Sequence, residues 1–411
     1  MQLVERHLIR HQDARFALID RAAFASKNLY NQANYQIRQA FIHEGTYLPY
    51  AAIFHRLKHH EAYCALPRKV SNAILIQLHH NWVSFLRVME AYREDPSAFT
   101  GRPKIPGYQD KAKGRFLLIY EKKALGKRAF KRTGKLVPSG LPIEIATQIT
   151  WEAIRQVRIV PRADGYMLEV VYEQELQPAA VNPQLRAAVD VGVNVLAAIT
   201  SDKPGFVPRL VSGKPLKSLN QFYNKQRAKQ QQRLAHENRY TSRQLARVTT
   251  KRNRRVDAYL HTASRRIIDL LVGEGIGTLV IGKNPLWKQE VSMGRRNNQQ
   301  FVQLPHARFI EQLTYKAHLV GIRVILQEES YTSKASFLDD DPIPTYETNA
   351  AVKPVFSGKR VARSWYRARD GRLIHADING SYNILCKSNS DPLQVGRGVA
   401  GAAVLPRRLA V

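Results

Sequence analysis

Acidic side chains at the ends of buried strands are the groups in this chain best suited to chemistry, and three places carry them. Asp190 stands in the strand-like run "AVDVGVNVLA", with Gly192 two residues on to allow a close backbone approach. An Asp-x-Gly of this kind suits a catalytic carboxylate, opens the phosphate loop of actin-like sugar kinases and ATPases, or is a hydrogen-bonded structural acid. The motif alone leaves all three open. Asp377 in "HADINGSYNI" falls at the expected start of a helix, a place that serves an N-cap or a metal ligand equally well. Glu328 and Glu329 close the run "IRVILQEE". Taken alone, adjacent glutamates read as solvated surface charges.

These groups need elements to bring them together. "MQLVERHLIR" reads as a first strand, and residues 16–92 as helical, with Val70, Ile74, Leu78, Trp82, Phe85 and Met89 on one face. His59, His60, His79 and His80 are doublets whose members do not face each other on a helix, so no metal site is expected there. Beyond Pro96 come short β-like runs, "RFLLIY", "KRAFKR", "IRQVRIVP" and "GYMLEVVYEQE", separated by turn residues. They predict a small β-barrel or sheet, which the first strand can complete around an inserted helical block. "LQPAAVNPQ" (176–184) reads as a linker. After it come "RAAVDVGVNVLAAIT" and "FVPRLVSG", a long basic helical region, and an amphipathic helix with Val256, Tyr259, Leu260, Ala263, Ile267, Leu270 and Leu271 on one face. Strand "TLVIG", a helix opened by Pro305, strand "IRVILQ", a long loop and a last helix follow. The order β-β-β-α-β-α-β-α is the plan of the ribonuclease H-like fold, whose strand ends converge on one crevice. An acid is expected there at the end of the fourth strand, yet "GTLVIGKNPLWKQ" offers Gly282.

Charge narrows the partner. Sixty-four Lys and Arg stand against 33 Asp and Glu, a formal net charge of +31. Self-repulsion of that size is tolerated where a polyanion neutralises it, and nucleic acid is the favoured one. No apolar run is long enough to span a bilayer, so no membrane partner is expected. Cys64 and Cys386 are too far apart in sequence to form a disulfide framework or a CxxC zinc site. The start lacks the apolar core of a signal peptide, which makes the cytoplasm the expected compartment.

"DVGVNVLAAIT", "QEESYTSKASF" and "ADINGSYNIL", in this order and spacing, resemble TnpB, the transposon-encoded RNA-guided DNA nucleases related to type V CRISPR effectors. "GRPKIPGY" resembles the Pro-rich entry to their β-barrel domain. The resemblance implies an α+β multidomain chain. A β-barrel wedge domain (1–14 and 96–183) is interrupted by a helical recognition lobe (15–95). A RuvC-like nuclease domain of ribonuclease H fold (184–386) and a flexible tail (387–411) follow. Many relatives carry a four-cysteine zinc element in the segment corresponding to 330–373. Here Ala335 stands where a cysteine often follows "TSK", and no zinc is expected. Packing and charge pairs between Asp339–Asp341 and the Arg-rich "GKRVARSWYRARDGR" are expected to hold that loop.

Gly282 then acquires a meaning. Glu329 resembles the relocated glutamate of one TnpB branch and of the Fanzor proteins. Neighbouring strands lie about 4.8 Å apart, a gap a glutamate can cross. The resemblance implies a catalytic and metal-binding set of Asp190, Glu329 and Asp377 around two Mg²⁺ or Mn²⁺ ions, with Asp190 bridging them. Glu328 is the rival ligand, although consecutive strand residues face opposite ways. Lys225, Arg227, Arg233, Arg243, Arg247, Lys251 and Arg252 are expected along a guide–target duplex, and Arg363 or Arg369 near the scissile phosphate. The implied partners are a structured guide RNA from the protein's own element and a double-stranded DNA target, bound by a monomer. The alternative is a nuclease-inactive RNA-guided DNA-binding repressor or targeting factor. A third reading is a guide-free, structure-selective nuclease.

Overall fold

The structure, a computed structural model, describes residues 1–284, 294–345, 354–388 and 406–411, with the backbone alone at 295–297. It divides into two compact units, Met1–Gln174 and Glu175–Val411.

In the first unit, β1 (Gln2–Ile9) is followed by α1 (Phe16–His43), α2 (Tyr50–Leu57), α3 (Glu61–Cys64) and α4 (Arg68–Glu94). Then come β2 (Leu118–Glu121), α5 (Lys127–Thr133), β3 (Lys135–Leu136), β4 (Ile145–Ala146), β5 (Ile154–Arg162) and β6 (Gly165–Glu173). The main sheet is antiparallel in the order β1-β6-β5-β2, so the first strand pairs across the helical block, and β3 and β4 form a separate ribbon. Among the described residues β1 and β2 remain edges, and hydrogen bonding does not close this sheet into a barrel. "KRAFKR" corrects its strand reading: it forms α5, which Gly134 ends at a φ of 68°. Val70, Ile74, Leu78 and Trp82 are buried, and Trp82 Nε1 donates to Asn34 Oδ1 at 2.9 Å. His60 caps α3 and His79 bonds Tyr47, which accounts for one member of each doublet.

The second unit runs β7 (Asn182–Asp190), β8 (Val195–Ser201), β9 (Arg209–Ser212), α6 (Lys214–His236), α7 (Arg243–Gly273) and β10 (Ile276–Gly282). Next are α8 (Arg295–Gln303), α9 (His306–Leu319), β11 (Arg323–Gln327), β12 (Lys359–Ala362), β13 (Trp365–Arg367), β14 (Leu373–His375), α10 (Ala376–Lys387) and β15 (Arg407–Arg408). The sheet order is β11-β10-β7-β8-β9-β15. β7, β8 and β9 pair antiparallel, while β10 and β11 add parallel to β7. One face packs on α7 and α9 through Ala187, Val189, Leu279 and Ile281 against Leu260, Ile267, Phe309 and Leu313. The other packs on α10 through Ala188, Ala198 and Val280 against Ile378, Tyr382 and Leu385.

Several expectations need correction here. The linker reading of 176–184 extends too far, because β7 already begins at Asn182. The long loop is not bare: β12, β13 and β14 make a three-stranded antiparallel sheet within it. The tail is not loose to its end, since Arg407 and Arg408 pair with Arg209 and Leu210 of β9; most of the rest of it lies outside the described residues. "NPLWKQE" also lies outside them in large part. Among the described residues no helix is long and apolar enough to cross a membrane.

Candidate active site

Strand alternation selects the face on which chemistry is possible. With Ala187 and Val189 turned to α7, Ala188 and Asp190 face α10. The same parity on β10 sends Val280 and Gly282 that way, and on β11 Ile325, with Glu329 two steps past the strand's last residue, Gln327. The registers Val189–Ile281 and Gly282–Gln327 bring the carboxyl ends of the three parallel strands level.

α10 covers these ends. Ser381 Oγ donates to the Ala188 carbonyl at 3.1 Å and lies 2.9 Å from Thr200 Oγ1, which fixes the helix on the sheet. Asp377, Gly380 and Ile384 then share one side of the helix, three and four residues apart. A β-carbon on Gly380 would sit 2.8 Å from Asp190 Oδ2, so the aspartate rests on bare helix backbone. A β-carbon on Gly282 would fall 2.5 Å from Glu329 Oε2 and 2.6 Å from Ile384 Cδ1. The glutamate of the fifth strand thus fills the volume a side chain on the fourth would need. Glu329 is held there by its backbone N–H, which donates to Asn284 Oδ1 at 3.0 Å. Glu328 is engaged elsewhere, by Lys387 Nζ and by the Ser330 N–H at 2.6 Å.

Burial and mutual repulsion make the cluster avid for positive charge. Asp190 is raised well above the ordinary carboxylate range, first by burial, then by the charges of Glu329 and Asp377. Burial, helped by Glu328, pushes Glu329 up to about 7. Asp377 is raised by burial against the opposing pull of His375, Arg360 and Arg363. Glu328 moves the other way, since Lys387 and Ser330 outweigh its burial. Among the described residues no group of three or more His, Cys, Asp or Glu side chains is close enough to hold one ion, and Asp190 feels the charges of both Glu329 and Asp377. Three desolvated carboxylates with oxygen donors fit hard divalent cations such as Mg²⁺ or Mn²⁺.

This has a pH signature. A carboxyl whose pKa is raised by folding costs stability once it ionises, so the cost is absent below the unfolded value near 4.5 and complete above about 7. Without divalent ions, the melting temperature is expected to fall between pH 5 and pH 8. Glu329→Gln is expected to flatten that fall by removing a stability cost of up to about 3 kcal/mol. Thermal melts at both pH values check it.

Two neighbours were missed in the sequence. Arg360 Nη2 approaches Asp377 Oδ1 at 3.8 Å, and His375 Nδ1 approaches Asp377 Oδ2 at 3.9 Å. His375 is two residues from Asp377, a signal that was available; Arg360 carried none beyond charge. Arg363 is exposed, and its carbonyl accepts from Arg360. Arg369 donates its N–H to Asp339 Oδ2 at 2.9 Å and its Nη2 to Ser357 Oγ at 2.7 Å. Asp341 accepts from the N–H groups of Ser336 and Ser357. Backbone amides and serines, in place of the expected arginine pairs, hold Asp339 and Asp341 among the described residues.

The basic helices present Lys225, Arg227, Arg233, Arg243, Arg247 and Lys251 to solvent. Arg252 departs from the expectation. Its guanidinium donates to Asn220 Oδ1, Asn253 Oδ1 and the Gln303 carbonyl at 2.7–2.9 Å, locking α7 to α6 and α8. Arg252→Ala is therefore expected to cost about 1–3 kcal/mol of stability. Arg247→Ala should leave the melt unchanged and lower the salt slope of polyanion binding by about one. Denaturant melts and salt-titrated DNA binding separate the two.

Two sequence families match parts of this chain. Residues 169–287 match one described as "Probable transposase", and residues 306–384 one described as "Cas12f1-like, TNB domain". The TnpB-like protein ORF457 of Acidianus two-tailed virus is 23% identical over 410 aligned positions, covering 90% of this chain and 82% of that one. Among solved structures, the Cas12f1–sgRNA–target DNA complex aligns at a TM-score of 0.51 with 14% identity, over 90% of this chain and 82% of that one. The fold is thus a mixed α+β, multidomain one of the Cas12f1 kind. The resemblance to the TnpB family, related to the type V effectors, is borne out by these matches.

Proposed function

We propose that the protein is an RNA-guided DNA endonuclease of the TnpB kind, which binds a guide RNA from its own element, recognises a short motif beside the target and hydrolyses DNA phosphodiesters. The observation that carries this reading is the Glu329 carboxylate seated against Gly282, in one cluster with Asp190 and Asp377. The Cas12f1 neighbour, described in complex with sgRNA and target DNA, supports the choice of partners.

Asp190, Glu329 and Asp377 would hold two divalent cations, which activate water and neutralise the leaving oxygen when bound. The chain's own residues do the rest. Arg360 and Arg363 place positive charge beside Asp377, where a phosphodiester must approach a carboxylate cluster that would otherwise repel it. The exposed cations of α6 and α7 grip a duplex by its phosphates, which reads shape and leaves sequence to base pairing.

The test is cleavage of a randomised target plasmid library by the purified ribonucleoprotein in Mg²⁺. Cleavage adjacent to a fixed motif, with a co-purifying RNA of defined ends, is expected. Guide-dependent binding without cleavage would favour the inactive targeting factor, and cleavage without defined RNA the guide-free nuclease.

A further inference from the structure

The turn after Glu329 is gripped by two side chains that the proposed chemistry leaves without a task. Asn379 and Asn383 stand one turn apart on α10, 0% and 1% exposed. Asn379 donates from Nδ2 to the Ala335 carbonyl at 2.7 Å and accepts at Oδ1 from the Phe337 N–H at 3.0 Å. Asn383 Nδ2 donates to the carbonyls of Ala335 and Thr332, both at 2.8 Å. Thr332 reaches back in turn: its Oγ1 donates to the Glu329 carbonyl at 2.9 Å and its N–H to the same oxygen at 3.3 Å. Between them Tyr331 holds a φ of 64°, which a non-glycine residue keeps only where its surroundings impose it. The helix that carries Asp377 therefore also holds the turn that carries Glu329.

We infer that Asn379 and Asn383 are positioning residues that set the Glu329 carboxylate against Asp190, an inference that rests on the nuclease reading above. Asparagine suits the task because its amide offers two donors and an acceptor on a short, stiff arm. A leucine of similar size would strand the Ala335 and Thr332 carbonyls and the Phe337 N–H in the interior.

The experiment titrates Mn²⁺ into the full-length chain, freed of nucleic acid in high salt, and follows the free ion by electron paramagnetic resonance. Thermal melting and amide exchange across 330–337 are recorded alongside. The variants are Asn379→Ser, Asn383→Ser and the isosteric Thr332→Val, beside Glu329→Gln and Leu271→Ala, a remote truncation in the core under the sheet. Half-saturating Mn²⁺ is expected to rise about tenfold or more in the asparagine variants, and several-fold in Thr332→Val, with faster exchange across 330–337. Leu271→Ala should lower the melt without moving Mn²⁺ affinity. Asparagine variants that melt lower yet bind Mn²⁺ as the unmutated chain does would show a merely structural role and overturn the inference. If the serine variants do not fold, unchanged Mn²⁺ binding in Thr332→Val overturns it equally. Unchanged binding in Glu329→Gln would instead bring down the nuclease reading, and this inference with it.

Discussion

Glu329→Gln is expected to reduce Mg²⁺-dependent cleavage about a thousandfold or more, the loss of roughly 4 kcal/mol of transition-state stabilisation. Guide and target binding should persist, because the amide keeps the shape of the turn. The sharper part of the prediction is repair. Glu329 and any side chain at residue 282 compete for one volume, whose far wall is Ile384 Cδ1. Glu329→Ala empties that volume and Ile384→Val removes the wall, leaving Ile384's Cγ1 position 3.4 Å from a new β-carbon, an ordinary contact. Gly282→Glu in that background should return a carboxylate to the cluster and recover cleavage about tenfold over Glu329→Ala alone. Gly282→Ala with Glu329 intact should do the reverse, displacing the glutamate and losing activity. Single-turnover cleavage of guide-matched DNA reads all four proteins. No recovery in the triple variant, with binding retained, would mean that the two positions do not serve one site.

Gly380→Ala separates stability from activity. Alanine inside a helix is worth up to about 1 kcal/mol over glycine. The new methyl, however, would lie 2.8 Å from Asp190 Oδ2, and the short aspartate side chain is what gives way. The melt is therefore expected to stay level or rise, while cleavage and Mn²⁺ binding fall about a hundredfold. A parallel loss of stability and activity would show instead that the helix, and not the carboxylate, had moved.

Much of this site can be read from residue parity. Asp190, Gly282 and Glu329 carry the parities that put them on one face, and Asp377, Gly380 and Ile384 follow helical spacing on the element that covers it. The same rule turns Glu328 the other way, and there Lys387 engages it. Other features carried no such signal. Strands of three or four residues, as in β12 to β14, are too short for alternation to register, and they exist through pairing with one another. "KRAFKR" has no strand alternation, its two apolar residues being adjacent, and between Gly126 and Gly134 it closes into a short helix. Arg252 is indistinguishable by charge from Arg247, and only its hydrogen bonds set it apart. The pairing of β15 with β9 depends on a return of the chain from far away, which no local pattern encodes.

The join between β14 and α10 has no slack. His375 ends the strand, Ala376 begins the helix, and Asp377 follows at once. No residue intervenes between the three-stranded sheet and the helix of Asp377, and Arg360 on the outer strand β12 comes within 3.8 Å of the same carboxylate. The small sheet thus borders the cluster twice, through the chain at His375 and through the side chain of Arg360.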